Sequence, residues 1–143
     1  MDWEERFSVG NDYVDDQHKL IIQYISRIDE LSDRHKAGGT LDIGEIKKVM
    51  DQLIHYTVTH FRDEEALLRQ HNYRDLERHM EIHSKLVKQV NHLNGRMQEL
   101  GPQILPVLQE FLNTWLKEHI LKVDMKYSAL LGKREVPASA KTG

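Results

Sequence analysis

The chain carries two pairs of potential metal ligands, each with a spacing of four residues. His79 and His83 lie in the stretch HMEIH, and His60 and Glu64 lie in HFRDE. A spacing of four places two side chains on one face of an α-helix. Both pairs fall on faces that also carry leucines, so they are predicted to point into the core. Imidazole and carboxylate are costly to bury without a partner, and both are good ligands for metal ions.

Two further histidines and a second acid extend the pattern. His18 shares a helical stripe with isoleucines, and His119 continues a stripe of leucines and aromatic residues. Asp124 follows His119 after five residues. Five residues of an ideal α-helix turn through about 500°, which leaves these two side chains roughly 140° apart. A widened turn or a frayed helix end would close this gap, and the sequence leaves both options open.

Together these residues predict a site for two cations. Burying them without a partner would cost several kcal/mol for each charge. The donors are too many for one transition metal, whereas imidazoles with two bridging carboxylates suit two adjacent ions. The chain has no cysteine, which excludes thiolate ligands and leaves iron, zinc, copper or nickel. The predicted metal ligands are His18, His60, Glu64, His79, His83, His119 and Asp124.

The competing interpretation is that these histidines are ordinary core or boundary residues. A single histidine on a helix face usually is one. The coincidence of several inward histidines on four predicted helices, each set near an acid, argues against it here. Other polar residues fail the same test and are expected to be solvated: His35, His55, His71, His92, Arg62, Asp63, Glu65 and Glu81.

Four stretches with helical periodicity would position the ligands. The first is predicted to begin at a cap formed by Asp15 or Asp16, the second near Asp42 and the third near Asp75, while Pro106 suits the first turn of the fourth. Short connections predict an all-α, antiparallel up-down-up-down four-helix bundle with an N-terminal arm. We expect one domain over residues 1–132, with the arm at 1–13, and a disordered tail over 133–143.

The composition excludes several classes of partner. With 20 basic and 23 acidic residues the net charge is −3, so no broad cationic surface is available for nucleic acid. The apolar runs are too short for a membrane span, and the first residues lack the pattern of a secretion signal. We therefore expect a cytoplasmic protein without nucleic-acid or membrane partners, and a protein partner is left open.

Four stretches, DDQHKL, YTVTHFRDEE, HMEIH and WLKEHILKVD, together resemble the hemerythrin family, specifically its single-domain bacterial members. The resemblance runs from Trp3 through Tyr127, and the order His, HxxxE, HxxxH, HxxxxD is highly specific. It implies a centre of two non-haem iron ions with an oxo or hydroxo bridge, which binds dioxygen reversibly. It assigns His79, His83 and His119 to the coordinatively full iron, His18 and His60 to the iron with an open position, and Glu64 and Asp124 to both.

The resemblance also implies an apolar pocket for dioxygen beside the open position. Its walls would be Ile21, Phe61, Trp115, Leu116 and Ile120, which would serve equally well as ordinary core. A dry pocket favours carrying dioxygen over catalysis, so we expect a carrier, store or sensor and not an enzyme. The alternatives are a di-iron oxidase, peroxidase or nitric-oxide-handling enzyme using the same centre, and a signalling module that reports metal or oxygen to a partner.

Overall fold

The computed structural model describes residues 1–141 and contains no strand in that range. Its α-helices are α1 Asp12–Lys36, α2 Ile43–Gln70, α3 Leu76–Leu100, α4 Leu105–Glu118 and the short α5 Ala138–Lys141. Turns of 3-10 helix lie at Glu5–Phe7, Gly101–Ile104 and Asp124–Tyr127, and a π-helical turn lies at His119–Val123. Helices α1 to α4 pack as antiparallel neighbours with short connections, which confirms the predicted four-helix bundle. Within residues 1–141, no helix is long and apolar enough to cross a bilayer.

Helix α1 begins earlier than the sequence predicted. Its cap is Asn11, whose side chain accepts a hydrogen bond from Val14 N at 2.9 Å, and the prediction of Asp15 or Asp16 is wrong. Asp15 is buried inside the helix, where its carboxylate accepts a hydrogen bond from Val9 N at 2.9 Å. That bond ties the N-terminal arm to the bundle, so this carboxylate is not available as a cap.

The starts of α2, α3 and α4 follow the sequence prediction. Asp42 caps α2 by accepting hydrogen bonds from the backbone nitrogens of Gly44 and Glu45. Helix α3 ends at Leu100, and the Gly101 that follows has a φ of 62°, a conformation that glycine adopts without steric cost. Pro106 lies in the first turn of α4, where the missing N–H costs no helical hydrogen bond.

A polar layer separates two apolar parts of the core. The larger part includes Ile21 and Leu53, and the smaller part includes Val14 and Leu67. On α1, His18 lies along the chain between Val14 and Ile21, and on α2 the pair spaced by four residues lies between Leu53 and Leu67. Close-packed hydrocarbon on both sides holds the polar side chains in fixed positions.

Segments near the two ends of the described chain meet at the start of α1. Phe7 of the arm is fully buried. Asp12 N donates to Lys133 O at 2.8 Å, and the side-chain amide of Asn11 donates to Glu135 O at 2.8 Å. These bonds hold the backbone of Lys133 and Glu135, which lie at the start of the segment that the sequence predicted to be disordered. The domain boundary and the disorder of the tail over 133–143 stay predictions, and residues 142 and 143 lie outside the described residues.

Candidate metal centre

The predicted ligands come together in the polar layer between helices α1 to α4. Each of these side chains is at most 4% exposed. Their ligand atoms form two groups, and within each group all atoms lie within 4.8 Å of one another. The first group is Glu64, His79, His83, His119 and Asp124, and the second is His18, His60, Glu64 and Asp124. The two carboxylates therefore belong to both groups.

Glu64 directs one carboxylate oxygen toward each group. Its Oε1 lies 2.5 Å from His79 Nε2 and 3.1 Å from His83 Nε2. Its Oε2 lies 3.3 Å from His60 Nε2. A carboxylate whose two oxygens face two different sets of imidazoles has the orientation of a bridge between two cations.

Asp124 reaches the site because the helix widens in front of it. The turn His119–Val123 is π-helical, and Asp124 N donates to His119 O. A π-helical turn closes on the fifth residue and so brings these two side chains to the same side. Asp124 Oδ1 then lies 3.0 Å from His119 Nε2, and Oδ2 lies 3.2 Å from His18 Nε2. The widened turn, one of the two options that the sequence left open, is confirmed.

Contacts inside the site shift the pKa values of its members. Burial alone would raise the pKa of Glu64, but contact with three imidazoles holds it well below its ordinary value. Burial and the neighbouring Glu64 would raise the pKa of Asp124, yet contact with His119 keeps it low. Burial would lower the pKa of His79, but the two carboxylates raise it to about 10. The pKa of His60 is lowered, chiefly by burial. The metal-free site thus holds protons that a bound cation would displace.

Several ligand atoms have no hydrogen-bond partner. Within residues 1–141 these buried atoms include Nε2 of His18, His60, His83 and His119 and both carboxylate oxygens of Asp124. The imidazoles of His18 and His119 lie within ion-pair distance of Asp124, without the geometry of a hydrogen bond. Those of His60 and His83 lie at such a distance from Glu64. Buried polar groups are normally paired, and imidazole nitrogen with carboxylate oxygen is a suitable donor set for transition-metal ions. The residues present therefore fit a metal centre.

Comparison with known proteins agrees with this geometry. Residues 9–131 match the family model described as the hemerythrin HHE cation binding domain. The chain belongs to the hemerythrin family. It is 31% identical over 132 residues to a bacteriohemerythrin of Methylococcus capsulatus, covering 92% of this chain and 96% of that relative. It is 29% identical over 126 residues to a bacteriohemerythrin of Stenotrophomonas maltophilia, covering 88% and 78% of the two chains.

Solved hemerythrin structures share the fold. A crystal structure of wild-type hemerythrin superposes with a TM-score of 0.78 and 29% sequence identity, covering 92% of this chain and 97% of that one. The bundle and the metal-binding cluster of His, Glu and Asp are therefore features that this chain has as a hemerythrin. The assignment of individual side chains to individual ions stays a prediction.

The sequence did not predict the role of three polar residues beside the candidate ligands. Gln17 Oε1 lies 2.6 Å from His60 Nδ1, and Glu65 Oε2 lies 2.7 Å from His83 Nδ1. Asp63 accepts a hydrogen bond from Gln17 Nε2 at 2.8 Å. The prediction that Asp63 and Glu65 belong to a solvated face is therefore wrong. Each successive residue of a helix turns by about 100°, so the residues flanking a ligand face the neighbouring helices and not only water.

Tyr127 is a further polar residue at the hemerythrin site. Its hydroxyl donates to Glu64 Oε2 at 2.8 Å, and the side chain is buried. It lies at the end of the 3-10 turn that Asp124 begins. Burial, and then the two carboxylates, raise the pKa of Tyr127 well above its ordinary value. The hydroxyl therefore keeps its proton and acts as a hydrogen-bond donor to a candidate bridge.

The residues predicted to line a dioxygen pocket lie close to the site. Four of them are buried, namely Ile21, Phe61, Leu116 and Ile120, and Trp115 is half-buried. The Phe61 ring stacks on the His83 ring, with centroids 3.7 Å apart and planes 5° from parallel. Trp115 and His119 also line an open apolar groove of about 620 Å³ between α3 and α4. That these residues form a pocket for dioxygen stays a prediction.

The remaining histidines lie outside the site. His55 and His92 are exposed, as predicted. His35 was expected in a connection but lies in α1, which continues to Lys36, and it is half-buried. His71 ends α2, and its Nε2 lies 2.6 Å from the Glu135 carboxylate, so it is paired rather than simply solvated.

Proposed function

We propose that this chain binds dioxygen reversibly at two non-haem iron ions with an oxo or hydroxo bridge. The observation that carries the proposal is the unequal pair of donor sets, one with three imidazoles and one with two, which share the same two carboxylates. An ion with fewer protein donors keeps a coordination position for a small ligand. Iron, when bound, supplies the electrons that dioxygen accepts on binding and returns on release.

The surroundings of the site support a carrier, a store or a sensor. Phe61 and Leu116 are 4% and 2% exposed, and Ile21 and Ile120 are fully buried, so water has little access from their side. Excluding water and protons suppresses side reactions of a reactive bound species. Tyr127 retains its proton because its pKa is raised by burial, and its hydroxyl is already directed at Glu64. This hydroxyl is therefore a poor proton donor for turnover.

The relatives support the choice of iron and dioxygen through their names alone. The chain is similar to proteins named bacteriohemerythrin and to structures described as hemerythrin. Membership of that family supports iron as the metal and dioxygen as the ligand. A cytoplasmic location also stays a prediction, which cell fractionation would test.

The test is an optical spectrum of the iron-loaded protein. The protein is loaded with ferrous iron under argon, exposed to air and returned to argon. We expect a visible absorption band that appears in air, disappears under argon and returns on the next cycle. Zinc-loaded protein is the control, because zinc has no redox chemistry and should give no band. Absence of the band from protein with two irons per chain would refute the proposal.

The enzyme alternative is distinguished by turnover. An oxidase or peroxidase would consume a reductant continuously, and the absorption band would decay with release of peroxide. We expect instead that the band survives repeated cycles without net consumption of a reductant. Sustained consumption at many equivalents per chain would favour the enzyme.

A further inference from the structure

Two candidate ligand imidazoles are held through the ring nitrogen that faces away from the site. His60 Nδ1 meets Gln17 Oε1 at 2.6 Å, while His83 Nδ1 meets Glu65 Oε2 at 2.7 Å. His60 belongs to the group with two imidazoles, and His83 belongs to the group with three. Each half of the site therefore has its own outer hydrogen-bond partner.

The orientation of Gln17 is fixed by Asp63. A carboxylate can only accept hydrogen bonds, and Asp63 Oδ2 receives one from Gln17 Nε2 at 2.8 Å and one from the Tyr13 hydroxyl at 2.9 Å. The amide nitrogen of Gln17 is thereby directed at Asp63, so its carbonyl oxygen must face His60. His60 then carries its hydrogen on Nδ1 and keeps the Nε2 lone pair for a cation.

Glu65 fixes the tautomer of His83 in the same way but with a different charge. Its carboxylate accepts the Nδ1 hydrogen of His83, which leaves Nε2 free for a cation. Gln17 is a neutral acceptor, whereas Glu65 is an anion, and hydrogen bonds to ionised groups are stronger than neutral ones. The two halves of the site therefore differ in the strength of the hydrogen bond that orients a ligand imidazole, as well as in the number of imidazoles.

We infer that Glu65, and Gln17 oriented by Asp63, are positioning residues that separately control metal affinity at the two halves of the centre. Glu65 acts on the ion held by three imidazoles, and the pair Asp63–Gln17 acts on the ion held by two. The inference rests on the proposed metal centre. Partners of this kind orient the ligand ring and raise its basicity, and removing one typically costs about 10- to 100-fold in affinity.

The experiment is an anaerobic titration of metal-free protein with Co²⁺. Calorimetry and the cobalt absorption spectrum monitor the binding. We expect two binding steps in the unmodified chain. Glu65→Ala should weaken one step by about 10- to 100-fold, and Gln17→Ala should weaken the other. Glu65→Gln should weaken that step less than Glu65→Ala does, because the amide oxygen still accepts the hydrogen bond from His83.

Substitution of Asp63 is the most specific test, because this carboxylate accepts hydrogen bonds from Gln17 and Tyr13 and not from a candidate ligand. Asp63→Ala should weaken the same step as Gln17→Ala. The double variant Gln17→Ala, Asp63→Ala should bind Co²⁺ at that step as tightly as Gln17→Ala alone, since both changes remove the same hydrogen bond to His60. Glu81→Gln is the matched control, because Glu81 is an exposed carboxylate on α3 and should alter neither step.

The possible results separate the inference from the proposed function. The inference would be overturned, and the metal centre left intact, if the unmodified chain binds two Co²⁺ while Asp63→Ala and Glu65→Ala each change the affinity of both steps less than twofold. Equal weakening of both steps in every variant, together with lower thermal stability, would show a purely structural role and would also overturn it. An unmodified chain that binds fewer than two ions would contradict the proposed function itself.

Discussion

Removal of the Tyr127 hydroxyl measures what one hydrogen bond to a candidate bridging carboxylate contributes to stability. In Tyr127→Phe the ring keeps its volume and its packing against His79 and Tyr73, where the ring centroids lie 5.8 and 6.2 Å away. The variant loses only the bond to Glu64 Oε2, which is 2.8 Å long and buried. Hydrogen bonds to charged groups contribute about 1.5–3 kcal/mol, so the metal-free protein should lose about 2 kcal/mol of unfolding free energy. For a domain of this size that corresponds to a fall in Tm of roughly 6 °C.

Urea unfolding of the metal-free protein at neutral pH measures this loss. Burial would raise the pKa of Glu64, but contact with the imidazoles of His60, His79 and His83 holds its folded-state pKa well below the ordinary 4.5. The stability that the ionised Glu64 contributes is therefore present above pH 4.5 and is lost as the pH falls through the folded-state pKa. The difference between Tyr127→Phe and the unmodified chain should therefore persist at pH 4.5 and narrow only at a pH well below it, where Glu64 becomes protonated in the folded protein. Tyr73→Phe is the control and should change stability by less than about 0.5 kcal/mol. A Tyr127→Phe loss within that same margin would refute the role given to the hydroxyl.

Three other predictions follow from the site. Glu64→Ala should hold fewer than two metal ions per chain by elemental analysis, because one carboxylate serves both groups, whereas His92→Ala should keep full stoichiometry; full metal content in the Glu64 variant would contradict the bridge. Metal binding at pH 7.5 should release between about one and three protons, because contact with the carboxylates outweighs burial and raises the pKa of His18, His79 and His83. Calorimetry in buffers of different ionisation enthalpy counts the released protons. Metal binding without proton release would refute the assignment of these histidines as ligands. The raised pKa of His79 adds stability to the metal-free chain below its ordinary 6.5, and this stability should be lost as the pH rises through about 10; urea midpoints that stay level over that range would contradict it.

The sequence predicted that most of these side chains meet at one site, because helical periodicity indicates which residues of a helix share a face. His60 with Glu64, and His79 with His83, are spaced by four residues, and any α-helix places such pairs together. The same periodicity predicted the four helices and, with the short connections, their antiparallel order. Neither conclusion required knowledge of contacts between distant parts of the chain.

The features that the sequence did not predict depend on such distant contacts. Asn11 caps α1 while its amide also binds the backbone of Glu135, which lies far along the chain. Gln17 and Glu65 are outer partners only because neighbouring helices meet at a particular rotation, which the pattern of one helix does not encode. The turn before Asp124 was left open because a widened turn and a frayed end have the same sequence signature.

We propose that two metal ions share Glu64 and Asp124. X-ray absorption at the iron edge of the fully loaded protein tests it most directly. We predict a first shell of nitrogen and oxygen only, and a second metal within about 4 Å of each iron, as in other sites with two bridged ions. A spectrum without metal–metal scattering, from protein that holds two irons per chain, would contradict the shared bridge.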